Sequence, residues 1–192
     1  LRSSKSHKKN RAMLWSSSAK YDLKQFEDAL RSQGTDDPLP IPKKIHESLK
    51  YFLKTIFRKN EFWDGQLRVI TRLLQGKNTI VLLPTGGGKS LTYQLSTLLQ
   101  PGIVLIVDPL KSLMKDQNDN LKIAGLDSTV FINSSIKTPI EREDKSEKMV
   151  KGFYQFVFIS PERLQIPEFR YYLRQMTDTY FTYCVVDEAH CV

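Results

Sequence analysis

The chain has 192 residues, 40% of them hydrophobic and 26% charged, with a formal net charge of +8; that is room for one ordinary domain with its own core and hardly for two. No run approaches the roughly 18 apolar residues that cross a bilayer, and no apolar stretch follows the basic N-terminus as in a secretory leader, so a soluble, intracellular protein with no membrane partner is expected. The charge excess is local: residues 1–44 carry ten Lys and Arg against five Asp and Glu, whereas 45–192 carry 19 against 16. A basic tail of this kind either holds a polyanion or serves as a solvated arm.

In chain order, Leu1 to about Ser18 is Ser, Lys and Arg with little apolar content, which predicts disorder or ordering on contact. Leu23, Phe26 and Leu30 form a short amphipathic piece stopped by Gly34, and "TDDPLPIP" reads as an extended linker. Residues 1–44 are thus a basic arm and linker, and the globular lobe is expected over 45–192. Ile45, Leu49, Phe52, Leu53, Ile56 and Phe57 fall on one helical stripe, and a second helix is predicted from about Gln66 to Leu74, closed by Gly76. From there, short β-branched runs at 79–83, 103–107, 128–132, 156–160 and 183–187 alternate with helical segments at about 89–100, 110–122, 139–151 and 167–176. This rhythm predicts an α/β domain with a mainly parallel sheet flanked by helices. Cys184, in the last of these buried strands, and Cys191 have no metal-ligand spacing around them and read as reduced thiols.

Residues 82–90, "LLPTGGGKS", fall between a predicted strand and the N-terminus of a predicted helix. A parallel sheet binds ligands at that edge, where loop N–H groups and the positive helix end face one crevice. Gly86, Gly87 and Gly88 let backbone approach phosphate oxygens closely, Lys89 reaches β- and γ-phosphates, and the Ser90 hydroxyl suits Mg²⁺. Leu83 stands where the general P-loop has a glycine, so a second site is needed to decide between a phosphate cradle and a simple turn. "YCVVDEAH" (183–190) supplies it: Asp187 at a strand end can serve the metal, and Glu188 can orient or deprotonate an attacking water.

"PTGGGKS" followed by "DEAH" resembles the superfamily-two helicases, whose phosphate loop dispenses with the earlier glycine. "DPLKSLMKDQ" (108–117), "ISPERL" (159–164), "DEAHC" with Cys191, and "FWDGQ" (62–66) narrow the resemblance to RecQ-type DNA helicases, from about residue 45 onward. Two positions depart from that family: Trp63 replaces an arginine, and Asp108 a serine near the segment that lies along the DNA in the family.

The resemblance implies a RecA-like P-loop fold and ATP with Mg²⁺ as cofactors. It implies that Thr85, Gly86, Gly87, Gly88, Lys89 and Ser90 hold the phosphates and that Gln66 reads the adenine edge. Ser90 and Asp187 would hold the metal, and Lys89, Asp187 and Glu188 would carry the catalysis. It further implies 3′–5′ translocation on single-stranded DNA with unwinding of tailed duplexes. A second RecA-like lobe, beyond this truncated one, would complete the motor, and its arginine can be worth about 10³–10⁵ in rate; alone, the 192 residues are expected to hydrolyse ATP slowly if at all. An ATP-driven remodelling or switch protein that separates no strands is the second reading.

Overall fold

The computed structural model describes residues 41–84, 86–134, 136 and 138–189. The expected arm, most of the linker, and Thr85, His190 and Cys191 lie outside the described residues. These residues form two compact units, 41–100 and 101–189.

The first unit is helical: α1 (Lys43–Phe57), α2 (Gln66–Leu74) and α3 (Lys89–Leu98). The stripe read from sequence is the buried face of α1, and Ile45, Leu49 and Phe52 pack with Ile70, Leu74, Leu95 and Leu99. Gly76 ends α2 with φ +69°, and the N–H groups of Gly76 and Lys77 reach back to the carbonyls of Leu73 and Arg72. Arg58, at φ 55°, ends α1 in the same way. All residues from Leu91 to Leu98 are buried in α3. Its hydroxyls are satisfied locally, Thr92, Ser96 and Thr97 each donating to a carbonyl three or four residues earlier.

The strand expected at 79–83 is not formed. Those residues carry no ladder, and Ile80 and Leu82 are 90% and 92% exposed. Burial alternates along the segment, so its sequence does produce a period of two. The unit that contains it holds no other described strand, and an extended segment becomes a strand only by exchanging hydrogen bonds with a neighbour.

The second unit is a four-stranded parallel sheet of order β2-β3-β1-β4, built from β1 (Ile103–Val107), β2 (Thr129–Ile132), β3 (Phe156–Ile159) and β4 (Phe181–Val186). The connections carry α4 (Lys111–Ile123), α5 (Pro139–Val150) and a 3₁₀ turn, Pro161–Gln165, followed by α6 (Pro167–Arg174). β1 and β3 are buried along their whole length, as their unbroken apolar sequences require. Ile103, Leu105, Val107, Val157 and Ile159 pack one face with Met149 and Phe169. β4 lies at the sheet's edge among the described residues and is only partly covered, so Cys184 is exposed rather than buried as its apolar run suggested.

The register fixes what the sheet presents at its C-terminal edge. Ile132 pairs with Ile159, Ile159 with Val107, and Val107 with Val186. The four strands therefore end level, and the residue following each pair lands in one row: Asn133, Ser160, Asp108 and Asp187. All four are buried.

Candidate functional site

In the helical unit, the loop before α3 is drawn into a turn by the Gly87 N–H, which donates to the Pro84 carbonyl at 2.8 Å. A Cβ on Gly87 would lie 2.8 Å from that same oxygen, closer than side-chain carbons come. Gly88, at φ +70°, is the N-cap of α3, and no side chain caps this helix end. The first-turn N–H groups thus face the loop, the arrangement that suits an anion. Lys89 Nζ donates to the Leu83 carbonyl at 3.3 Å, folded back on the N-terminal entrance of the loop. Ser90, one residue into the helix, is half-buried.

Gln66 opens α2 and is 2% exposed. Its Oε1 accepts from the Trp63 N–H at 3.0 Å, while Nε2 donates to the carbonyls of Gly87 at 3.1 Å and Gly88 at 3.3 Å. An amide has two N–H protons, so this one side chain locks two consecutive glycines of the loop. Trp63 is 53% exposed, with its ring against Gly88 and Lys59 Nζ 5.5 Å from the ring centroid.

In the sheet unit, Asp187 follows β4, and its N–H donates to the Val107 carbonyl at 2.9 Å, extending the ladder by one bond. Its Oδ1 accepts from the Glu188 N–H at 3.0 Å, and Oδ2 lies 3.5 Å from Gln117 Nε2 on α4. The segment "SLMKDQ" therefore reaches the acid pair through its last residue, a contact that spacing along the chain gave no means of finding. Glu188 has φ 48°, in the left-handed region. Asp108, next to Asp187 in the row, is fully buried; Oδ1 accepts from the Leu110 N–H at 2.8 Å, and Oδ2 has no partner. Burial pushes this carboxyl above the usual carboxylate range, the Leu110 N–H pulls it down, and the charges of Asp187 and Glu188 raise it further.

Arg163 of "ISPERL" is buried and donates from Nη2 to the Asn133 carbonyl at 3.0 Å, tying the segment after β3 to the end of β2. This bond is a tie across the sheet's edge.

A family model described as DEAD/DEAH box helicase matches residues 63–192. The chain therefore belongs to the DEAD/DEAH box helicase family. Its relatives within that family are of the RecQ kind. It is 42% identical over 149 residues to the probable ATP-dependent DNA helicase RecS of Bacillus subtilis, an alignment covering 78% of this chain and 28% of that protein. It is 40% identical over 172 residues to the ATP-dependent DNA helicase Q-like 5 of Arabidopsis thaliana, covering 88% of this chain and 17% of the relative. With the ATP-dependent DNA helicase RecQ of Haemophilus influenzae the identity is 35% over 155 residues, covering 80% and 24%. The chain thus spans between about a sixth and about three-tenths of the length of these relatives.

Proposed function

We propose that this chain is the ATP-binding lobe of an ATP-dependent DNA helicase that couples hydrolysis to 3′–5′ translocation on single-stranded DNA and to unwinding of tailed duplexes. The observation that carries the reading is the clasp of Gln66 on Gly87 and Gly88. A glycine-rich turn needs no buried glutamine across both carbonyls, whereas a nucleotide pocket gains a connection between the residue that meets the base and the loop that meets the phosphates. Trp63, exposed beside the clasp, offers a flat face on which a base can stack.

In this reading Thr85 and Gly86–Gly88 wrap the phosphates with backbone N–H groups, and Lys89 leaves the Leu83 carbonyl to meet the β- and γ-oxygens. Ser90 and Asp187 would hold Mg²⁺, since a hydroxyl and a carboxylate are the hard oxygen donors that ion takes. When bound, Mg²⁺ supplies positive charge to the phosphate oxygens. Glu188 orients the attacking water and takes its proton, and the Glu188 N–H holds Asp187 Oδ1 in place. A second RecA-like lobe of the whole protein would complete the nucleotide site. Among the described residues no helix is long and apolar enough to cross a membrane, and an intracellular setting with access to DNA is part of the proposal.

The test is ATP hydrolysis with and without single-stranded DNA, and unwinding of a 3′-tailed duplex, by the full-length protein. Lys89→Ala should lose nucleotide binding, and Glu188→Gln should bind nucleotide while hydrolysing about 10²–10⁴-fold more slowly. A Glu188→Gln rate equal to the parent's would overturn the assignment of the base. Hydrolysis without strand separation would favour the remodelling reading.

A further inference from the structure

We propose that this site holds its nucleotide's base by stacking on Trp63 rather than by reading the base's edge, and that it therefore takes guanosine as well as adenosine phosphates. The proposal rests on the reading of residues 82–90 as a phosphate loop and names the range of nucleotides which that loop serves.

Gln66 is the side chain beside the loop that could tell one base from another, and its donors are already spent. An amide has two N–H protons, and Nε2 lies 3.1 Å from the Gly87 carbonyl and 3.3 Å from that of Gly88. Oε1 accepts from the Trp63 N–H at 3.0 Å, which leaves a base one lone pair at most. The residue is buried, and a Cβ on Gly88 would collide with Nε2, so the clasp is a close fit. Donating to a ring nitrogen of adenine would require Gln66 to leave a glycine carbonyl that it now satisfies. Sites that hydrogen-bond a ligand's polar edge reject analogues by about 10⁴–10⁵, whereas apolar contact discriminates by about 10–200-fold.

The apolar contact on offer is Trp63. Its ring is half-exposed, and Cε3 lies 3.7 Å from where a Gly88 Cβ would stand, so the indole flanks the N-terminus of α3 that would receive the phosphates. Every base has a π-face, and stacking on an aromatic side chain raises affinity by about 5–150-fold whatever the edge carries. Lys59 is exposed, with Nζ 5.5 Å from the indole centroid. An ammonium there offers a donor for N7, an acceptor that adenine and guanine share. Both features favour a purine without choosing between the two.

Calorimetric titration of the full-length protein with ADP and with GDP, each with Mg²⁺, tests this in the parent, W63A and W63F. The parent should bind the two diphosphates within about ten-fold of one another. W63A should weaken both alike, by about 5–150-fold, and W63F, which restores a π-face, should regain most of that loss. Steady-state hydrolysis supplies the second readout: the parent should turn over GTP as well as ATP, and W63A should raise KM for both with kcat little changed. A parent preference for ADP above about 100-fold would mean that Gln66 leaves the glycines to read adenine, and overturns the proposal. Unchanged affinities in W63A overturn it too, as does an equal loss in W63A and W63F, which would make the indole a structural residue. If the parent binds neither diphosphate, the reading of the phosphate loop has failed; if it binds ADP alone, that reading stands and the proposal for Trp63 has failed.

Discussion

Glu188 holds a backbone conformation that L side chains adopt at a cost of about 1–3 kcal/mol. Glycine carries no such penalty, so Glu188→Gly should raise the unfolding free energy by about 1 kcal/mol in urea titrations while abolishing ATP hydrolysis. A loss of stability instead would mean that the carboxylate's own contacts outweigh the strain. Gly87 is the opposite case: Gly87→Ala places a methyl against the Pro84 carbonyl that the loop's own turn uses. The expected outcome is loss of ATP-induced thermal stabilisation together with a lower melting temperature of the ATP-free protein, because the turn at Pro84 has to give way. Arg163→Ala removes a buried charged donor and leaves the Asn133 carbonyl only the long bond from the Ile136 N–H, which should cost about 1.5–3 kcal/mol in the same titrations. How much of this was visible in the sequence differs by residue. Gly87, Lys89, Asp187 and Glu188 stand in contiguous motifs, where spacing suffices to single them out. The pairing of Gln117 with Asp187, and the neighbourhood of Asp108 and Asp187, span 70 and 79 positions and exist only once the strands are in register.

Among the elements, α5 shows what sequence reads well. "TPIE" places a capping threonine, a proline at the first helical position and a glutamate at the third; in the structure the Thr138 hydroxyl accepts from the Glu141 N–H at 3.2 Å. Three ion pairs, Glu141–Lys145, Asp144–Lys148 and Glu147–Lys151, follow at i,i+4 along its surface. Thr138→Ala should cost about 1 kcal/mol of stability, measurable by denaturant unfolding, and raised salt should not restore it, because a neutral cap rather than an ion pair is removed. The segment 79–83 shows the limit of the same reasoning. Alternating burial is written in its five residues, but a ladder depends on the availability of an edge, and no local pattern encodes that. β4 carries the matching lesson, since its apolar composition announces a strand and says nothing of whether both faces are covered.

At the scale of the whole molecule, the charge distribution makes the remaining prediction. Residues 1–44 carry ten of the chain's 29 basic side chains. If they neutralise DNA phosphates, a chain beginning at residue 45 should show a shallower dependence of single-stranded DNA affinity on salt, by about 0.7 in the log–log slope for each phosphate left unneutralised. An unchanged slope would leave that stretch as a spacer. The parallel sheet and its flanking helices were legible from the alternation of β-branched runs with amphipathic ones, whereas the strand order was not, because crossovers that skip a neighbour leave no trace in local sequence.

The pairing of β1 with β4 is irregular at only one place, between Ile103 and Val104, where the partner passes from Phe181 to Tyr183 and leaves Thr182 unmatched. This slack sits at the end of the sheet farthest from the acids, so a residue inserted or removed just before Tyr183 can be taken up there without moving Asp187. Between Tyr183 and Asp187 the ladder has no such reserve. A single deletion in that stretch would exchange the two faces of the strand and carry Asp187 and Glu188 out of the row together. Length variation is therefore tolerable on one side of Tyr183 and disabling on the other, and comparing a deletion of Thr182 with a deletion of Val185 would locate that divide.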